Sequence, residues 1–304
     1  MTQNQFQIRE PNLTIEEYIE SFSGEHAIQM RLRYVFQHYE DLFVWIKTTC
    51  KSAIDIPQVK IQQCRDLNAS IRPFVLFITT GLIEHCMNIG HCNVERVLDF
   101  DVPNGIFDYN QVSLTAIRWI FAHEFYHLIR MHDETQVIVG DDLFARQALE
   151  VDADMMSVSA IYRLFQDVWG NSLGGDVNLR NMIMYSLFWG IRALPPGGND
   201  REHPPIVFRL WALALKLSNL RIDRQAPADP LWELEEVRQS FIAVRKCLYR
   251  CEEEYQSGCP APVSEDLRAE WDKMNNGICV NTVFERWNEI APTVYSLIMP
   301  RPKL

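Results

Sequence analysis

The stretch SLTAIRWIFAHEFYHLIRM, residues 113–131, limits what this chain can fold into more than any other. Read as a helix capped by Ser113, it sets Leu114, Ile117, Phe121, Phe125 and Leu128 on one face. His123 and His127 fall roughly opposite, beside Ala116 and Ile120. A helix that is apolar nearly all round belongs in an interior, packed on both sides. Buried polar groups require partners, so the fold must supply some for two histidines and the intervening Glu124. His132 falls on the core-packing side of the same wheel and is not counted among the polar set.

The remainder of the chain can build such an interior. It has 304 residues, of which 47% are hydrophobic, enough for one large core or a core with an appendage. The net charge of −11 argues against a nucleic-acid partner, which needs a basic face. The first residues, MTQNQFQIREPNLT, show no secretory pattern. The longest apolar runs, Pro73–Ile83 and Met182–Ile191, are too short to span a bilayer. The eight cysteines include no CxxC spacing. These features together predict a cytoplasmic protein with free thiols and no membrane contact. His85-Cys86 and His91-Cys92 are read as packing or exposed thiols rather than a metal cluster.

Periodicity predicts a mainly helical chain with a small β component. Thr14-x-x-Glu17 is a capping box for a first helix. A long amphipathic segment is expected over 26–49, and FVLFIT, 74–79, reads as a buried strand. Residues 97–110 suggest a hairpin turning at Pro103-Asn104-Gly105, and 133–142 a connector. Further helices are expected over 143–165, 179–193, from 204, and over 231–256, 264–274 and 281–298, with loops at 194–205 and 221–230.

Histidines at i and i+4 project from one face of a helix, so His123 and His127 can direct their rings at one ion. Glu124 is rotated from His123 by about 100°. There it flanks the ion without ligating it, where a base acting on metal-bound water must stand. Two satisfied core histidines are the alternative. A catalytic zinc takes three protein ligands and leaves a fourth position open. In ALEVDADMM, 148–156, Glu150 and Asp154 share a helix face while Asp152 points away from both. Glu150 is the candidate third ligand. Asp154, one turn on, is placed to accept the second N–H of a ligating histidine.

Four ordered stretches resemble the gluzincin peptidases of the HtpX and CAAX prenyl protease group, and the phage-exclusion peptidase Lit carries a similar set. They are LNASIRPFVLFITTGLI (67–83), HEFYH (123–127), EVDAD (150–154) and HPPIVFR (203–209). The resemblance covers roughly residues 67–213. It implies His123, His127 and Glu150 as ligands of one Zn2+ ion, Glu124 as general base, and Asp154 as the orienter of a histidine. It also implies His203 as a donor to the developing oxyanion, and Arg209 near the site, paired with a buried carboxylate. A protein or peptide substrate would bind in extended form along the strand near 74–79. That group is membrane-embedded, whereas this chain shows no span, and Tyr126 stands where the family has glycine.

The expected architecture is mainly α (α+β): a zincin-like core with a small sheet and an HExxH helix, plus extra N- and C-terminal helices. Residues 1–60 would form N-terminal helices, 61–220 the metallopeptidase core and 221–304 a C-terminal helical region, with room for a protein activator or a homo-oligomer. The expected function is that of a zinc-dependent endopeptidase in regulated defence or stress. The competing readings are a metal-binding sensor or interaction module with little turnover, and a helical interaction protein without metal.

Overall fold

The computed structural model describes residues 12–88, 97–98, 108–140, 142–169, 173, 175–192, 204–220, 230–258 and 280–298. It is mainly helical with one three-stranded sheet. The first helix, α1 (Ile15–Glu20), begins with the expected capping box: Thr14 Oγ1 accepts from the Glu17 amide, and the Glu17 carboxylate accepts from the Thr14 amide. The long segment expected next is two helices, α2 (His26–Phe36) and α3 (Tyr39–Cys50). His38 interrupts them with φ of 54°, a left-handed conformation that no continuous helix accepts.

The sheet comprises β1 (Gln58–Gln62), β2 (Ala69–Arg72) and β3 (Val75–Thr79), in the order β1-β3-β2. β3 runs parallel to β1 and antiparallel to β2. The expectation that the strand near 74–79 takes up an extended substrate is therefore corrected. Both edges of β3 are already paired, leaving no open row of amides and carbonyls for an added strand. Among the described residues β2 pairs with β3 alone. β1 carries little strand signal in its sequence, since QVKIQ is short and has a lysine in its middle.

β3 passes without a break into α4 (Thr80–Asn88). The junction is held by Thr79, whose hydroxyl accepts from the Asn68 amide at 3.2 Å and the Leu82 amide at 3.3 Å. Gly81 lies against the Arg65–Asp66 backbone, where a Cβ would sit 2.8 Å from the Asp66 carbonyl oxygen. Only glycine lets the chain pass so close.

α5 (Tyr109–Ile129) is the central helix, buried on nearly every side. It packs on α2, α3, α4 and the sheet, and on two later helices, α7 (Leu143–Trp169) and α8 (Asp176–Arg192). Its cap is Asp108, which accepts from the Gln111 amide at 2.9 Å. Ser113, the expected cap, is fully buried inside the helix and accepts from Arg31 at 3.1 Å. Between α5 and α7, part of the expected connector is helical: α6 (His132–Val139). α9 (Ile206–Ser218), α10 (Pro230–Gly258) and α11 (Val280–Ile298) complete the fold.

Buried apolar side chains from Tyr18 to Val294 form one cluster. No described helix is long and apolar enough to cross a membrane. Cys50, Cys64, Cys86, Cys247 and Cys251 are free thiols. The hairpin expected over 97–110 lies almost wholly outside the described residues, as do His91, Cys92, the 264–274 helix and His203.

Candidate metal centre

α5 and α7 make the most extensive helix–helix contact of the fold, and it is here that the polar residues meet. His123 and His127, one turn apart, present their Nε2 atoms 3.0 Å from each other. Glu150 reaches across from α7, with Oε2 3.3 Å from His123 Nε2 and Oε1 3.3 Å from His127 Nε2. One donor atom from each of these residues lies within 4.8 Å of the others. Among the described residues this is the only group of three or more such side chains placed to hold a metal ion. His123 is buried, while His127 and Glu150 are partly open. That suits an ion held by protein on one side and reachable from the other.

Asp154, one turn beyond Glu150 on α7, places Oδ1 2.9 Å from His123 Nδ1. Its carboxylate is fully buried and also receives Arg209 from α9, Nε to Oδ2 and Nη2 to Oδ1, both at 2.8 Å. The geometry is the two-pronged fork of a strong charge-assisted pair. The guanidinium lies 5.5 Å over the Trp119 ring, which in turn packs 5.6 Å from the His123 ring. Arg209 thus holds the carboxylate that holds the histidine.

Glu124 follows His123 on α5 and is half-buried. It lies close enough to Arg209 for its charge to be felt there. Tyr126 is buried beside Cys50 and Arg130.

The surroundings shift these groups in opposite directions. Burial disfavours charge on His123, yet its contacts with Asp154 and Glu150 prevail and raise its pKa to about 10. Burial above all, with repulsion from His123, takes His127 the other way, to about 3, against the pull of Glu150. Burial alone would raise Asp154, but Arg209 and His123 hold it at about 2. The donor set, two imidazoles and one carboxylate, suits a borderline divalent ion.

Sequence reasoning missed a second group. Arg130 ends α5, and Met131, at φ 55°, reverses the chain into α6. The reversal carries His132 back beside the site, with its Nδ1 2.9 Å from His127 Nδ1. His132 Nε2 lies 3.0 Å from Asp152 Oδ2, and Arg130 Nε donates to the same oxygen. A helix wheel cannot show this, because His132 lies beyond the point where the helix stops. The alternation Glu150-x-Asp152-x-Asp154 was the available signal: it gives α7 acidic groups on two sides. His85 is partly buried next to the fully buried Cys86, and burial lowers its pKa.

A family model described as Peptidase U49 matches residues 100–226. No curated protein matches the chain, and no solved structure does. The matched stretch contains every residue of the cluster: His123, Glu124, His127, Glu150, Asp154 and Arg209, and also Arg130, His132 and Asp152. The sheet precedes the match and α10 and α11 follow it. Over the segment that builds its metal-competent cluster, the chain is similar to a family of peptidases, and that similarity supports a hydrolase acting on peptide bonds.

Proposed function

We propose that the chain is a zinc-dependent endopeptidase whose ion is held by His123, His127 and Glu150. The observation that carries this reading is the convergence of these three side chains from α5 and α7. When bound, the ion lowers the pKa of its water toward neutrality and polarises the scissile carbonyl.

The protein's own groups do the remainder. Glu124, adjacent to the ligands but not one of them, takes the proton from the attacking water and returns it to the leaving amine. Asp154 fixes the His123 ring, and Arg209 keeps Asp154 ionised. His203 is proposed as the donor to the oxyanion. The substrate is a protein segment in extended form, added at the outer edge of β2, which packs against α5 and among the described residues is paired on one side only. The reaction would take place in the cytoplasm, as a regulated step in defence or stress.

The test uses the purified full chain. Metal content is measured by plasma mass spectrometry, and cleavage of an unfolded protein is followed with and without a chelator. One zinc per chain is expected, with cleavage that the chelator abolishes and that Glu124→Gln removes without loss of metal. Zinc present with no Glu124-dependent cleavage would favour a metal-binding module. A chain that takes up no metal would refute the reading.

A further inference from the structure

We infer that His132 is a positioning residue for the metal centre: with Asp152 and Arg130 it fixes the tautomer of His127. The inference rests on the proposal that His127 is a zinc ligand.

The argument follows the hydrogens. A carboxylate only accepts. Asp152 Oδ2, 3.0 Å from His132 Nε2, therefore keeps a hydrogen on that nitrogen. Arg130 already supplies the positive charge on that Asp152 oxygen, so His132 is assigned as the neutral imidazole, which carries one hydrogen and presents a lone pair at Nδ1. Its neighbour at 2.9 Å is His127 Nδ1, which must then be the donor. With its hydrogen on Nδ1, His127 is left with a lone pair on Nε2, the atom that faces Glu150 and His123.

The His123 side is built in the same way. Asp154 Oδ1 lies 2.9 Å from Nδ1, a placement that favours a hydrogen there and leaves Nε2 for the ion, and Arg209 anchors Asp154. The two arms are Arg209–Asp154–His123 and Arg130–Asp152–His132–His127. Each holds a hydrogen on Nδ1, so that an ion displacing any proton from Nε2 meets two Nε2 atoms at one point. The second arm is shielded from water: His132 is 2% exposed, Asp152 4% and Arg130 6%. It is also braced from outside the core. The Arg130 guanidinium lies 5.8 Å over the Trp287 ring and 5.5 Å over the Tyr295 ring, both on α11. Lys216 of α9 adds a further positive charge facing Asp152.

The test compares zinc affinities of the full-length wild type and three His132 variants, by competition with a chromophoric chelator. Metal-free thermal unfolding is recorded alongside. An asparagine amide oxygen can stand where Nδ1 stands and accept from His127. A glutamine amide reaches the Nε2 position and leaves His127 without an acceptor. His132→Ala and His132→Gln are expected to weaken zinc binding by about 10–100-fold. His132→Asn should restore it to within about threefold, with a Co2+ absorption spectrum like that of wild type. If His132→Ala does not fold, the contrast between Asn and Gln decides. Wild-type affinity in His132→Gln, or an Asn variant as weak as the Gln variant, would overturn the inference and leave the metallopeptidase reading standing. A wild-type chain that binds no zinc would overturn both.

Discussion

Replacing Arg209 with methionine removes the positive half of a fully buried ion pair and leaves Asp154 with nothing but a histidine to balance it. Methionine keeps most of the aliphatic stem and loses the guanidinium that grips Asp154 and lies over Trp119, so the change is mainly one of charge. Breaking a buried pair by removing one partner costs about 3–5 kcal/mol, because the other charge stays desolvated. In a chain of this length that corresponds to a fall in Tm of about 6–10 °C. The pair sets the sign of the pH dependence. Asp154 is held at about 2, below its ordinary 3.8, by Arg209 and His123 against burial. Such a depressed carboxylate contributes stability that is complete above pH 3.8 and is lost as the pH falls through about 2. The shift corresponds to about 2–3 kcal/mol. The deficit of Arg209→Met is therefore expected in full at pH 7 and should narrow below about pH 4, where Asp154 in the variant takes up a proton. Arg209→Met/Asp154→Asn should be more stable than Arg209→Met alone, since no bare charge remains, yet still bind zinc poorly for want of the His123 orienter. Chemical denaturation of the metal-free chains from pH 3 to 8 provides the check. A single-variant cost below about 1 kcal/mol, or strict additivity in the double variant, would show that the pair does not hold Asp154 as argued.

Three further outcomes are expected. Glu150→Ala should weaken zinc binding by more than about 100-fold in the same chelator competition, because two histidines alone leave the ion with too few protein ligands; an unchanged affinity would place the third ligand elsewhere. Gly81→Ala, usually a stabilising change within a helix, should here cost about 1–3 kcal/mol in thermal unfolding, since the new methyl group meets the Arg65–Asp66 backbone. Phe74→Gly should raise stability by roughly 0.5–1 kcal/mol. Phe74 is 63% exposed and sits at φ 74° between β2 and β3, so little packing is lost and backbone strain is relieved; a drop in Tm would mean that the ring makes a contact that matters.

The sequence by itself determined the central helix and the residues on it. A run that is apolar on every side cannot rest on a surface, and two histidines one turn apart cannot avoid sharing a face. Glu150 and Asp154 were legible for the same reason, as a pair one turn apart on the following helix. Spacing within one helix is fixed by 3.6 residues per turn, so no tertiary information is needed to read it. Other features depended on segments meeting in space. That Asp154 is the carboxylate Arg209 grips is a contact between residues 55 apart in the chain. The interior position of β3 follows from β1 pairing in parallel across a long connection, and a five-residue strand with a lysine in its middle does not announce itself. His132 shows the limit most clearly. On a continuous wheel it belongs to the core face. A single left-handed residue, Met131, ends the helix and turns His132 back onto His127, so a local backbone choice, stabilised by the packing around Arg130, decides what that side chain does.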